Sequence, residues 1–138
     1  MLQRIQSVFL AVALALSGLL FALPFAAAID AQGREATVSG VDFPLVIIQV
    51  ATFGVTLVNI FLYKRRRRQI RLCILNGVAL LCYQAFVLLS VFLLSRHAEA
   101  VQYKVTIVFP AIVAVFTFLA MRRIARDEAL VRSLDRLR

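Results

Sequence analysis

Four long runs of residues without charge divide the sequence, and each is long enough to cross a lipid bilayer as one helix. They cover residues 5–29, 43–63, 72–95 and 105–121. Backbone N–H and C=O groups cannot bond to water inside a bilayer, so these runs are expected to be helices. The fourth run is the shortest, and Arg122 and Arg123 can reach the headgroups to compensate. The pattern predicts an all-α integral membrane four-helix bundle with up-down-up-down topology.

Uncharged polar residues recur at helical spacing in the second and third runs, which gives each run a polar face. This predicted helix-packing face consists of Gln49, Thr52, Thr56, Asn59, Asn76, Tyr83, Gln84 and Ser90. In the first run a stripe of small residues takes its place, namely Ala11, Ala15, Gly18, Ala22 and Ala26. Small residues let helices approach closely, and polar side chains can hydrogen-bond between helices. We expect these faces to pack together in the bundle core. A polar cavity for a solute, quinone or lipid headgroup is the alternative.

The connections at the other ends of these runs are short. Residues 30–42 and 95–104 are too few to form a domain outside the membrane. Asp42 can cap the second helix, and Pro44 suits its first turn. The first run also has a second interpretation, a signal peptide cleaved after residues 26–28, but its uninterrupted length favours an uncleaved helix.

Charge and composition add an orientation to this picture. Hydrophobic residues make up 62% of the chain, and the mean hydropathy is +0.90. Of the 16 Lys and Arg residues, 13 lie on one side: Arg4, six between the second and third runs, and six after the fourth. The positive-inside rule then places both termini in the cytoplasm. The net charge is +9, and the basic residues lie beside the apolar runs. Anionic lipid headgroups are therefore a better partner than nucleic acid. The residues assigned to headgroup contact and topology are Lys64, Arg65, Arg66, Arg67, Arg68 and Arg71.

The last segment, residues 122–138, is predicted to be a basic amphipathic cytoplasmic tail that follows a transmembrane domain of residues 1–121. Charged pairs three or four residues apart, such as Glu128 and Arg132, support a helix. The tail should extend the fourth helix or lie on the inner leaflet. Its apolar stripe can contact lipid or the basic turn, or dock a protein. The candidate partner-binding residues are Asp127, Glu128, Leu130, Val131, Arg132, Leu134, Asp135 and Leu137.

The four runs contain no ionisable residue of the kind that pumps and intramembrane enzymes use. We therefore predict no catalytic, cofactor-binding or metal-binding residue, and the chain is not expected to be an enzyme. Cys73 and Cys82 would lie about 13 Å apart along one helix, too far for a disulfide. His97 has no partner in the sequence for a metal site.

Residues 1–7, MLQRIQS, and residues 127–138, DEALVRSLDRLR, resemble a family of short four-span membrane proteins from Bacteroidota, classified as a domain of unknown function. The resemblance covers the whole chain, and the tail is its most specific part. It implies a bacterial inner membrane and an uncleaved first helix, and it supplies no activity. The leading hypothesis is a non-enzymatic structural or adaptor subunit acting through its tail. The alternative is a passive transporter or a lipid- or small-molecule-binding protein that uses the polar faces of helices two to four.

Overall fold

The computed structural model of the protein describes residues 2–29, 33–62, 65–98 and 100–136. Within these ranges the chain is mostly helical, with four α-helices, three β-strands and one turn of 3-10 helix. The helices are α1 (Leu2–Leu19), α2 (Leu45–Phe61), α3 (Arg66–His97) and α4 (Phe109–Arg136). The strands are β1 (Pro24–Ile29), β2 (Glu35–Ser39) and β3 (Ala100–Tyr103), and the 3-10 turn is Val105–Val108.

The helices form the predicted bundle. α1 and α3 each contact both α2 and α4. Between α2 and α3, Thr56 meets Asn76 and Asn59 meets Cys73. Residue numbers rise on one helix as they fall on the other, so these two helices are antiparallel. The expected arrangement of four packed helices is therefore confirmed.

The prediction that residues 5–29 form one helix is wrong. α1 ends at Leu19, and Pro24 opens strand β1. Proline has no backbone N–H, and its ring disfavours a helical conformation at the preceding residue. The alanines at positions 26–28 favour helices. Their long-range pairing with a strand on each side overrides that local preference.

The all-α prediction is also wrong, because segments expected to be loops supply β2 and β3. β1 lies between them and is antiparallel to both, with Ala27 opposite Thr37 and Gln102. Each segment reaches the same end of the bundle with backbone groups that need partners, and antiparallel pairing satisfies them. We call this end of the bundle the sheet end. The opposite end, which holds Arg65–Arg68 and Arg71, is the arginine end.

An apolar cluster joins the sheet to the helices at the sheet end. Its buried members include Leu20, Phe25, Tyr83 and Val87. The rings of Phe25 and Tyr83 meet edge to face with centroids 6.2 Å apart. Gly40 lies directly against this cluster, and a Cβ atom built on it would overlap the carbonyl oxygen of Leu20. The backbone after β2 therefore approaches the end of α1 so closely that only glycine fits.

The interior face of α1 is not the predicted stripe of small residues. Ala11 and Ala15 are exposed, and Ala26 is buried in β1 rather than in a helix. Among the α1 side chains whose burial the structure describes, the buried ones are instead Leu10, Ala13 and Ser17, and Leu20 is buried in the turn that follows. The reason lies in Ser17, whose carbonyl and hydroxyl oxygens bond to a polar side chain of α2.

α2 begins and ends near the predicted limits of 43–63, whereas α3 begins before the predicted span of 72–95. Asp42 does not cap α2, because its carboxylate accepts a hydrogen bond from the Ser39 N–H and Pro44 is the N-cap residue. α3 begins at Arg66, so most of the arginine run is helical rather than part of a turn. Among the described residues, two helical segments, Arg66–His97 and Val105–Leu134, are long and apolar enough to cross a bilayer. Ser7–Leu19 and Leu45–Phe61 are shorter apolar helices.

Candidate functional site

The arginine end is organised by the short connection between α2 and α3. α2 ends at Phe61, and Arg65 is the N-cap residue of α3. The side-chain amide of Gln69 donates a buried hydrogen bond of 3.1 Å to the carbonyl oxygen of Asn59. This bond ties the first turn of α3 to the last turn of α2. It thereby fixes the backbone from which the arginine side chains project.

An open cavity of about 630 Å³ lies between α4 and the start of α3 with its N-cap residue Arg65, and we call it the basic cavity. Its lining residues are Arg65, Arg66, Arg67, Arg68, Arg71, Glu128 and Val131. Nε of Arg67 donates to Oε1 of Glu128 at 3.3 Å, and Nε of Arg132 donates to the same oxygen at 3.2 Å. One carboxylate therefore links the arginine run of α3 to α4.

The lining of the basic cavity does not balance its own charge, since five arginines accompany one glutamate. The first turn of α3 contains no acidic residue. That turn is the positive end of the helix dipole, where acidic groups stabilise the helix and further cations do not. An anion in the cavity would meet guanidinium groups and the dipole at once. The arrangement is a candidate anion-binding site.

The tail continues α4 without a break to Arg136. Because Arg67 meets Glu128 and α3 begins at Arg66, the antiparallel register places the start of α3 beside the residues just after Glu128. The last turns of α4 therefore extend past the N-terminal start of α3.

The apolar side chains of the tail are exposed. Leu130 and Leu134 lie one turn apart and are 57% and 65% exposed, and Val131 is 43% exposed. Leu137, the last member of the predicted stripe, lies outside the described residues, and Asp135 is described only as helical backbone. The described part of the stripe is thus available to a partner.

The polar residues of α2 face the interior of the bundle. Gln49, Thr52, Thr56 and Asn59 are all buried. The amide nitrogen of Gln49 donates to the carbonyl oxygen of Ser17 at 2.6 Å and to its hydroxyl oxygen at 3.2 Å. The hydroxyls of Thr52 and Thr56 donate to carbonyl oxygens of the preceding turn of α2. The bonds of Gln49 join α2 to α1, whereas those of the two threonines lie within α2.

A second set of hydrogen bonds joins α2 to α3, and together with the first it forms what we call the polar ladder. The amide nitrogen of Asn76 donates to the hydroxyl of Thr56 at 2.8 Å, and that of Asn59 donates to Sγ of Cys73 at 2.9 Å. The side-chain oxygens of Gln49, Asn59 and Asn76 are buried without a hydrogen-bond partner among the described residues. The side-chain nitrogens of these three residues therefore have acceptors, whereas their side-chain oxygens accept no hydrogen bond from the described residues.

The remaining polar residues assigned to α3 lie elsewhere. Tyr83 packs against Phe25 at the sheet end. The side-chain oxygen of Gln84 accepts a hydrogen bond of 3.1 Å from the backbone N–H of Ala111, near the start of α4. It satisfies one of the N–H groups that a helix N-terminus leaves free. Ser90 is half-buried.

A groove on the outside of the bundle, between α3 and α4, was not predicted. It has a volume of about 500 Å³, and its lining includes Ile74, Gly77, Val78, Ala114 and Phe118. The small residues on both helices are visible in the sequence. Which small residues face each other depends on the register between α3 and α4, and no sequence pattern gave that register.

The cysteines are both free, with Cys73 buried and Cys82 exposed. Among the residues that the structure describes, no group of three His, Cys, Asp or Glu side chains could hold a metal ion. Lys64, which was assigned to headgroup contact with the arginines, lies outside the described residues. The side chains brought together at the arginine end are suited to binding anions.

Comparison with known proteins places the chain in a family without assigning an activity. No curated protein and no solved structure matches it. A family model described as a domain of unknown function, DUF4293, matches residues 2–137, nearly the whole chain. The expected relation to a family of unknown function is confirmed. The chain belongs to the DUF4293 family.

Proposed function

We propose that this protein spans a bacterial inner membrane four times and acts as a non-enzymatic adaptor through its tail. The membrane location is supported by the distribution of side chains, because apolar residues lie on the outside of the bundle and polar residues lie inside, the reverse of a soluble protein. Leu75, Leu81 and Phe118 are 60%, 62% and 54% exposed on the outside of the bundle, while Gln49 and Asn76 are buried inside. A large apolar exterior is unfavourable in water and suits lipid. Polar side chains between helices suit a membrane bundle.

Helix lengths support the proposal that α1 and α2 also cross. α1 has 18 residues and α2 has 17, which at 1.5 Å per residue gives about 27 Å and 26 Å. The hydrocarbon core of a bilayer is about 30 Å thick. Modest thinning of the bilayer and the polar groups at the helix ends can accommodate the difference.

The proposed orientation places the arginine end and both termini in the cytoplasm. The excess of basic residues at that end is the main support. At the sheet end, Phe43 and Tyr103 are 81% and 64% exposed, and aromatic residues are favoured at the membrane interface. Residues 26–28 belong to the central strand β1. Signal-peptide cleavage there would remove α1 and divide that strand, which supports an uncleaved first helix.

Cysteine labelling tests this orientation. In a chain with Cys73→Ala and Cys82→Ala, Ala36→Cys on exposed strand β2 should react with a membrane-impermeant maleimide in spheroplasts. Ser133→Cys, exposed in the tail, should react only after the membrane is opened. The reverse pattern would overturn the proposed orientation, and equal labelling of both sites in intact spheroplasts would overturn the spanning bundle.

The observation that carries the adaptor proposal is the exposure of Leu130 and Leu134 on α4, which extends past the N-terminal start of α3. An amphipathic helix of this kind can lay its apolar face into a groove of another protein. The arginines of the tail would hold it near the inner leaflet, where such a partner could be peripheral or membrane-bound.

The adaptor proposal is tested by purification from native membranes in mild detergent after mild crosslinking. Leu130→Ser with Leu134→Ser should lose a stoichiometric protein partner while the chain remains inserted. Ala125→Ser with Ala129→Ser, also exposed on the tail but on another face, is the matched control and should keep the partner. If the leucine variant keeps its full complement of partner, the tail is not the docking surface.

The polar ladder favours a second candidate, a passive transporter or small-molecule-binding protein. Buried oxygens of Gln49, Asn59 and Asn76 have no partner within the described chain, and such acceptors are costly unless water or a ligand satisfies them. Mass spectrometry of the gently purified protein would reveal a retained small molecule. Its loss in Asn76→Leu, but not in the tail variants, would favour this function over the adaptor.

A further inference from the structure

The basic cavity and the apolar groove lie on one continuous face of α3 and α4. Two contacts fix the register of these helices: Arg67 with Glu128, and Gln84 with Ala111. The contacts are separated by 17 residues on α3 (67 to 84) and by 17 on α4 (111 to 128). The helices therefore run side by side in constant antiparallel register over about 26 Å, close to the thickness of a bilayer core.

The spacing of lining residues shows that the two cavities share this face. On α3, Arg67 and Arg71 line the basic cavity, and Ile74 and Val78 line the groove. These positions follow one another at spacings of four, three and four, which places them in one row along a helix. The groove thus begins about one turn from the basic cavity.

The depth of the groove comes from small side chains. Gly77 lies on α3, and Ala111 and Ala114 lie on α4. A Cβ atom added to Gly77 would meet no atom within 4 Å, so the space above this glycine is open. Ile74, Val78 and Phe118 form the apolar walls. The groove offers apolar contact along its length and leads to concentrated positive charge.

We propose that this face is a binding site for an anionic phospholipid, with the phosphate in the basic cavity and an acyl chain in the groove. Charge complementarity identifies the occupant, because the cavity joins five guanidinium groups to one carboxylate. Guanidinium groups bind phosphate through paired hydrogen bonds. An apolar groove that begins about one turn from such a site matches a lipid, which has a charged headgroup joined to apolar acyl chains. The proposal rests on the membrane location proposed above and is independent of the adaptor role of the tail.

Glu128 has a specific part in this site. Its carboxylate receives hydrogen bonds from Arg67 and Arg132, the kind of bonds that a phosphate would take. It therefore competes with the headgroup for the same donors. Binding of the lipid would release Arg67 from Glu128, and loss of the carboxylate should strengthen lipid binding.

The experiment measures binding of fluorescent phosphatidylglycerol to the purified full chain in a non-ionic detergent. Phosphatidylcholine with the same acyl chains and soluble glycerol phosphate are the comparison ligands. We expect clear preference for phosphatidylglycerol over both. Tight binding of glycerol phosphate would overturn the lipid assignment in favour of a free phosphate. Equal binding of phosphatidylcholine would overturn the charge-based assignment.

Charge variants locate the headgroup. Arg67→Gln with Arg71→Gln should weaken binding by about 30-fold, as expected when two basic residues near a headgroup are lost. Arg122→Gln with Arg126→Gln removes the same charge from a separate cavity of α4 and should weaken binding less than about threefold. Equal losses in both variants would show diffuse attraction and no site. Glu128→Gln should bind several-fold more tightly, and weaker binding would overturn its competing role.

Groove variants locate the acyl chain. Gly77→Leu should fill the groove and weaken binding about tenfold, because the added side chain occupies open space. Gly54→Leu on α2 is the matched control, since a Cβ there also meets no atom within 4 Å. If both glycine variants bind alike, no acyl chain lies in the groove. Leu130→Ser with Leu134→Ser should bind lipid normally, so failure of the adaptor proposal leaves this site intact.

Discussion

The two ends of the bundle are built on opposite principles. At the sheet end the chain closes on itself, with Gly40 against Leu20 and the rings of Phe25 and Tyr83 in contact. At the arginine end like charges surround an open cavity that holds one carboxylate, Glu128. The sheet end is stabilised by contacts between protein atoms, whereas the positive charge of the arginine end would be balanced by an anionic ligand.

This difference predicts where substitutions act. Changes at the sheet end should cost stability, because close-packed atoms have no room to move. Changes at the arginine end should alter binding and leave stability nearly unchanged, because exposed ion pairs contribute little to folding. The polar ladder lies between the two ends and should show an intermediate cost.

The largest effect is expected at Gly40. Gly40→Ala places a Cβ atom on the carbonyl oxygen of Leu20 and should lower the free energy of unfolding by about 3 kcal/mol. Unfolding in mixed detergent micelles, followed by far-UV circular dichroism, measures the change. Gly54→Ala, where the added atom meets nothing within 4 Å, is the control and should not destabilise. Equal stability of the two variants would show that the sheet end is not closely packed.

An intermediate effect is expected in the polar ladder. Gln49→Leu removes the bonds to Ser17 and should cost about 1 kcal/mol, the scale of hydrogen bonds between helices in membranes. Asn76→Leu, which removes the bond to Thr56, should cost a similar amount. The same unfolding measurement applies.

Phe61→Ala is the control for the ladder. Phe61 lies at the end of α2 and is 70% exposed, so truncating it should cost less than either ladder substitution. Equal stability of all these variants would show that the ladder adds no free energy of unfolding and at most selects how the helices pack. The difference in stability cost between the ladder and the sheet end would then be larger.

The helices could be predicted because their cause is local. Charge-free runs gave the approximate positions of α2, α3 and α4, and spacing alone indicated that Gln49, Thr52, Thr56 and Asn59 share a face. The sheet could not be predicted in this way. Residues 24–29 belong to an apolar run rich in alanine, and only pairing with segments 35–39 and 100–103 makes them a strand.

The candidate site shows the same division. The arginine run is evident in the sequence, but its contact with Glu128 joins residues 61 positions apart. The groove depends on which face of α3 meets α4, and that register is fixed by the pairs Arg67 with Glu128 and Gln84 with Ala111. Such pairings follow from tertiary packing and leave no periodic signal in one segment.

The smallest effect on stability is expected at the contact between Arg67 and Glu128. The side chain of Arg67 is 71% exposed and that of Glu128 is 20% exposed. Exposed pairs contribute about 0.2–1 kcal/mol, so Glu128→Gln should lower the free energy of unfolding by less than about 1 kcal/mol. A double-mutant cycle with Arg67→Gln isolates the pair, and 1 M NaCl should reduce its coupling through screening. A loss of several kcal/mol would break the comparison, because Glu128 would then hold the arginine end together as packing holds the sheet end. A small loss combined with tighter lipid binding would place the role of Glu128 in ligand binding, since the same carboxylate cannot be both indispensable to the fold and readily displaced.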